Sequence, residues 1–117
     1  MKKIICVLTF LVLTNFSFAA GSSSNSNDKE ANLYKEAKKF ISKAKKLEKK
    51  DKVEKALNLY SKAHDKLLKA YDKDKKNPDI LNYLGFTLRK AGNLEEAERF
   101  YLAGLEIKPD HRGINEY

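Results

Sequence analysis

Apolar residues recur at steps of three and four through most of this chain. Leu33, Ala37, Phe40, Ile41, Ala44 and Leu47 fall on one side of a helix, with polar positions between them. Lys45, Lys46, Lys49 and Lys50 crowd its last turns, where cations suit the helix dipole. Asp51 is followed three residues later by Glu54, the spacing of an N-cap and its capping-box partner. A second helix is expected to start there. Its stripe is Val53, Ala56, Leu57, Tyr60, Ala63, Leu67, Ala70 and Tyr71, which carries it to about Asp74. Asn77-Pro78 predicts a fresh start, since Asn caps and Pro suits the first helical turn. Ile80, Leu81, Leu84 and Leu88 form the third stripe, and Gly92 is placed to end it in the left-handed region. Asn93, with Glu96 three residues on, caps a fourth helix. Its stripe is Leu94, Ala97, Phe100, Tyr101, Leu105 and Ile107, and Pro109 stops it. No alternating pattern competes, so the fold class is all-α, built of two helical hairpins.

The span from Pro78 to His111 is 34 residues and has its own internal spacing. Leu81, Leu84-Gly85, Leu88, Ala97, Tyr101 and Pro109 match, step for step, the pattern of a tetratricopeptide repeat, which this segment resembles. Leu81 stands where the family has Trp, Leu88 where it has Tyr, and Gly104 where Ala is usual. All three changes are conservative for packing. In such a repeat Gly85 and Ala97 are small because the helices cross closely, and Tyr101 fills the space between hairpins. The resemblance implies hairpins stacked as a short right-handed solenoid. Phe40, Ala44, Leu47, Ala56, Tyr60 and Ala63 keep the spacing of Leu81, Gly85, Leu88, Ala97, Tyr101 and Gly104. Lys43 and Asp51, however, stand where Leu84 and Gly92 would lie, and the second helix overruns by about two turns. The expected organisation is therefore a degenerate hairpin at 29–77, a repeat at 78–111, and the start of a further, truncated repeat at 112–117. Tyr117 lies 34 residues after Tyr83, where a third unit would continue.

The N-terminus changes the picture of where this fold acts. Lys2 and Lys3 precede an apolar run from Ile4 to Phe18, and small residues follow. This is the layout of a secretory signal peptide at 1–19, cleaved after Ala19, with Gly21 as second choice. The expectation is export, to the periplasm in a two-membrane envelope; the alternative is an uncleaved membrane anchor. Residues 20–28, containing "GSSSNSN", read as a flexible linker. Cys6 is the one cysteine and lies in the signal, so the processed chain has neither disulfide nor thiolate.

The formal charge is +8, and nearly all of the excess is Lys. Lys-rich helix faces are ordinary solvated surface, and an exported protein does not point to nucleic acid. His64 and His111, the two histidines, lack the companions of a metal site. Glu95, Glu96 and Glu98 suit the first turn of a helix and need no catalytic explanation. No phosphate-cradling loop or nucleophile arrangement is present. No enzyme, metal or small-molecule cofactor is expected.

What the resemblance implies instead is a groove lined by the first helix of each hairpin, receiving a segment of another protein. Carried onto this chain, the groove residues are Asp79, Asn82, Phe86, Arg89 and Lys90 on the third helix. Asn82 and Arg89 are placed to hydrogen-bond a partner, and Phe86 either anchors an apolar side chain or packs on a neighbouring repeat. On the first helix they are Lys38, Ile41, Lys45, Lys49 and Lys50, a basic strip suited to an acidic segment. Two alternatives remain: a self-assembling envelope protein using the open end of the solenoid as a homo-oligomer interface, and a basic binder of anionic lipid or cell-wall polymer.

Overall fold

The computed structural model describes residues 22–117, with side chains from 28 onward. The signal segment and its cleavage site lie outside the described residues. Five helices follow one another: α1 Ser22–Lys49, α2 Val53–Lys73, α3 Pro78–Lys90, α4 Leu94–Ile107 and α5 Arg112–Asn115. Among the described residues there is no strand. α1 pairs with α2 and α3 with α4 as hairpins, α2 packs on α3, and the short α5 sits against α4. The expected all-α hairpin architecture is the observed one. α1 begins at Ser22, inside the segment expected as linker. Once the apolar stripe from Leu33 has fixed a helix, each further residue at its N-terminal end costs little, because elongation lacks the penalty of nucleation.

The helix ends follow from their sequences, with one correction. Asn77 Oδ1 accepts from the N–H groups of Asp79 and Ile80, and Pro78 takes the first helical position, as expected. Asn93 Oδ1 accepts from the Glu96 N–H at 3.4 Å, while the Glu96 carboxylate accepts from the Asn93 side-chain amide at 2.9 Å. Asp51 does not cap α2. The N-cap is Lys52, which supplies no side-chain hydrogen bond, and Asp51 lies in the left-handed region with φ +58°. Its place in the turn explains this. The Lys52 N–H bonds the Leu47 carbonyl at 2.9 Å, and the Asp51 N–H bonds that of Glu48 at 3.0 Å. In the second hairpin Asn93 bonds Leu88 and Gly92 bonds Arg89 at the same lengths, with Gly92 at φ +83°. Both are Schellman turns whose penultimate residue must turn left-handed. Asp51 occupies the glycine position.

The core runs along both hairpins. Ala37, Ile41 and Ala44 of α1 meet Ala56, Tyr60, Ala63, Leu67 and Ala70 of α2, and Ile80, Leu84 and Phe86 of α3 join the same cluster. Two expected stripe members of α2, Val53 and Leu57, are exposed, as are Leu94 and Ile107 at the ends of α4. All four lie within five residues of a helix end. Gly85 is small for a specific reason: a Cβ there would lie 2.5 Å from the ring of Tyr101. Gly104 likewise lies under the side chain of Ile114.

The two hairpins are related by two different registers. Their turns and the start of α2 and α4 match at an offset of 41 residues: Asp51 with Gly92, Ala56 with Ala97, Tyr60 with Tyr101. Their ends match at 34: the Asp74 N–H bonds Ala70 as Lys108 bonds Gly104, and Asn77 caps α3 as His111 caps α5. The difference is seven residues, and α2 is 21 residues long against 14 for α4. Seven residues make almost two whole turns, drifting only about 20°. The insertion therefore lengthens α2 while leaving both of its packed faces in register.

Candidate functional site

α1 and α3 run side by side and form one face of the molecule. Tyr34 of α1 meets Tyr83 of α3 edge-on at 5.8 Å, and Lys90 of α3 pairs with Glu48 of α1 at 3.1 Å. Between these two points lies Phe86. It is 3 % exposed, so it is not an open anchor; it packs edge-on against Tyr60 at 5.6 Å and tilted against Tyr117 at 5.9 Å. Three cations surround its ring, with Lys45 Nζ at 4.9 Å, Lys90 Nζ at 5.6 Å and Arg89 at 5.7 Å from the centroid. Arg89 also lies 4.1 Å from the Tyr117 ring centroid. Of the three, only Lys90 has a carboxylate partner among the described residues. Burial, then the Glu48 carboxylate, push the Tyr60 hydroxyl well above its ordinary range, so it stays neutral.

The other expected groove residues are placed differently. Asp79 is engaged: His111 Nε2–H donates to its Oδ1 at 2.7 Å, while His111 Nδ1 accepts from the Ile114 N–H at 3.2 Å. His111 thus has a carboxylate companion the sequence did not reveal, and the pair ties α5 to α3. Asn82 is buried beneath Gly113, where a Cβ would sit 2.7 Å from its side-chain nitrogen. Asn82 does not face open groove, because α5 covers it. Lys45 and Lys49 are exposed on α1, and Ile41 is buried in the core. Lys45, Arg89 and Lys90 are brought together; Asn82, Asp79 and Lys49 lie elsewhere.

Residues that the sequence reading passed over complete the site. Tyr117 stacks on Tyr101 at 5.5 Å and 12° and closes the far side of the cation cluster. The 34-residue period was its signal, since it is the sequence counterpart of Tyr83. Glu48 and Thr87 had no such signal. Thr87 is buried, donates its hydroxyl to the Leu84 carbonyl at 3.1 Å, and so accepts from His64 Nδ1 at 2.8 Å. His64 and Thr87 line a cleft of about 320 Å³ between α2 and α3, together with Leu57, Tyr60 and Leu88. A second cleft, about 290 Å³, lies along α4 between Leu94, Leu102, Leu105, Tyr117 and Arg89. Among the described residues no three His, Cys, Asp or Glu side chains gather to hold a metal ion. Nor is any helix of those residues long and apolar enough to cross a membrane.

The stacked hairpins, the small residue under Tyr101 and the 34-residue repeat of caps all belong to one architecture, and the tetratricopeptide repeat model matches residues 47–114, more than half of the chain. The chain is a tetratricopeptide repeat protein. Repeats of this family mediate protein–protein interactions and are typically non-catalytic. No curated protein and no solved structure matches the chain. The family therefore speaks for fold and for the general mode of action, and the choice of partner has to be argued from this surface.

Proposed function

We propose that this tetratricopeptide repeat protein is a scaffold of the bacterial envelope that holds an acidic segment of another protein in the groove between α1 and α3. The observation that carries the reading is the convergence of Lys45, Arg89 and Lys90 on the Phe86 ring, with one carboxylate for three cations. Phe86 and Tyr117 hold the cations in place through their ring faces, and the unneutralised charge is left for a partner. The signal-like N-terminus supports an exported setting, periplasmic after processing near Ala19, with a retained membrane anchor as the alternative. N-terminal sequencing of the exported chain distinguishes these two. The groove itself is tested with a fluorescent peptide alternating Glu and Phe. Changing Lys45 and Arg89 together to Ala is expected to weaken its binding by about tenfold, and added salt to weaken wild-type binding in parallel. Binding that ignores both changes would sink the groove reading.

A second reading rests on the α4 side. Leu94 is 63 % exposed, Leu102 56 % and Tyr117 52 %, and they flank the 290 Å³ cleft. Such an apolar edge suits self-association. Solution mass across a range of protein concentrations decides it: a dimer or larger species favours this reading, and a monomer throughout removes it.

A further inference from the structure

α1 carries a face that the groove does not use. Lys35, Lys39, Lys43 and Lys46 follow one another at steps of three and four along one side of the helix, Lys50 continues the spacing into the turn that follows, and all five are exposed. At 1.5 Å per residue the strip is about 22 Å long. No acidic residue interrupts it. The two carboxylates in that part of α1 point away: Glu36 pairs with Lys66 of α2 at 2.9 Å and Glu48 with Lys90 of α3 at 3.1 Å. Among the described residues none of the five lysines has an ion-pair partner.

The 41-residue register shows what this face replaces. Lys39, Lys43 and Lys46 correspond to Ile80, Leu84 and Thr87, which are buried on α3. The first hairpin thus presents charge where the second buries side chains against its neighbours. Keeping an end of a solenoid wet requires only polar residues of mixed sign. A single sign is costlier, because Lys35–Lys39, Lys39–Lys43 and Lys43–Lys46 are repelling neighbours on the helix and Lys46–Lys50 extends the row into the turn after it.

The geometry points to this strip as a docking face for an anionic phospholipid surface, with α1 lying parallel to it. The occupant follows from what the strip lacks and from the kind of cation it offers. It holds no aromatic or aliphatic side chain to seat a partner's pocket, and no planar guanidinium to grip a fixed carboxylate. Lysine is a hydrated point charge on a flexible stem. A folded protein would have to fix carboxylates at the matching spacing and immobilise the stems, whereas lipid headgroups move laterally to meet them. This inference is independent of the groove reading, because none of the five lysines lines the Phe86 cluster.

The experiment measures binding of the full chain to vesicles with about a third phosphatidylglycerol, and to pure phosphatidylcholine vesicles, at about 0.1 M salt. The N-terminal segment, with Lys2 and Lys3, is the same in every variant, so the change in lipid ratio between variants isolates the charge of the strip. One variant changes Lys39, Lys43, Lys46 and Lys50 to Gln. A control changes Lys55, Lys62, Lys69 and Lys73, which are exposed on α2, for the same loss of charge. The α1 variant is expected to lose the anionic preference by at least about tenfold, and the control to stay within about twofold. Equal loss in both variants would reduce the effect to net charge and overturn the inference. So would a wild type without anionic preference, the outcome for a merely solvated end. Soluble polyglutamate bound as tightly, with the same dependence on the four lysines, would reassign the strip to an acidic polymer.

Discussion

The two hairpins use one turn and one helix pairing, yet among the matched positions at which they differ, three bear directly on packing and the turn. The second has Leu84, Gly85 and Gly92 where the first has Lys43, Ala44 and Asp51. Leu84 is fully buried, while Lys43 is exposed. Gly85 lies under Tyr101, while Ala44 is fully buried against α2, so the first hairpin accommodates a Cβ that the second excludes. Gly92 turns left-handed freely, and Asp51 does so against the preference of a side chain. The second hairpin is packed between neighbours, with α2 on one side and α5 on the other. Among the described residues the first has a neighbouring hairpin on one side only, and it carries Lys43 and Asp51 where the second has Leu84 and Gly92.

Exchanging the matched residues tests this contrast, and the largest effect belongs to the buried position. Leu84→Lys places an unpaired ammonium among Ile80, Phe86 and the α2 stripe, and is expected to cost at least about 4 kcal/mol. Lys43→Leu at the matched position should change stability by no more than about 0.5 kcal/mol. Urea unfolding of both variants measures the asymmetry, and equal costs would mean that the hairpins are equivalent after all.

Gly85→Ala comes next. The added methyl meets the Tyr101 ring, which is itself stacked on Tyr117, so the ring has no free side to move to. Overpacking of about 2–3 kcal/mol is offset by about 1 kcal/mol of helix propensity, leaving a net loss of about 1–2 kcal/mol. The reverse exchange, Ala44→Gly, should cost about 1 kcal/mol through propensity alone. Thermal melts separate a clash from a propensity effect by tracking the near-ultraviolet tyrosine signal, which only the first should disturb.

The turn gives a gain rather than a loss. Asp51→Gly relieves the left-handed backbone and is expected to stabilise by about 0.5–1 kcal/mol, and Gly92→Asp to destabilise by a similar amount. A shift of the urea midpoint without a change in slope would show that the native turn is responsible.

Legibility in the sequence followed the same contrast. Helix spacing, the Asn77 and Asn93 caps and the left-handed Gly92 could all be read, because each depends on residues a few positions apart. The capping role expected for Asp51 was overruled by the turn, whose hydrogen bonds to Leu47 and Glu48 hold Asp51, one residue before the N-cap Lys52, in the geometry of glycine. Spacing put Lys45 on α1 and Arg89 and Lys90 on α3, and the structure brings the three to one ring. Spacing could not show that Asn82 and Phe86 are covered, because the cover comes from α5 and Tyr117, whose packing depends on Gly104 and Gly113 yielding space. The Lys90–Glu48 pair, across 42 residues, obeys no local pattern at all.

The smallest effect concerns His64, at the junction of the hairpins. The position matched to it in the second hairpin is Leu105, so one unit has an imidazole where the other has an aliphatic side chain. Burial lowers the His64 pKa, against the opposing pull of Asp65 and Glu96. The Thr87 hydroxyl gives its hydrogen to Leu84, so His64 Nδ1–H must donate, which fixes the tautomer of the neutral ring. The unfolded chain takes up its proton first, near the ordinary value of about 6.5. Stability from this group is therefore present at neutral pH and above, and is lost as pH falls below about 6.5 toward the lower folded value. His64→Leu, which copies the second hairpin, should flatten the slope of melting temperature between about pH 7.5 and 5.5. A slope unchanged in that variant would assign the acid sensitivity to another group, and ring ¹⁵N shifts of wild-type His64 would show whether Nδ1 carries the proton.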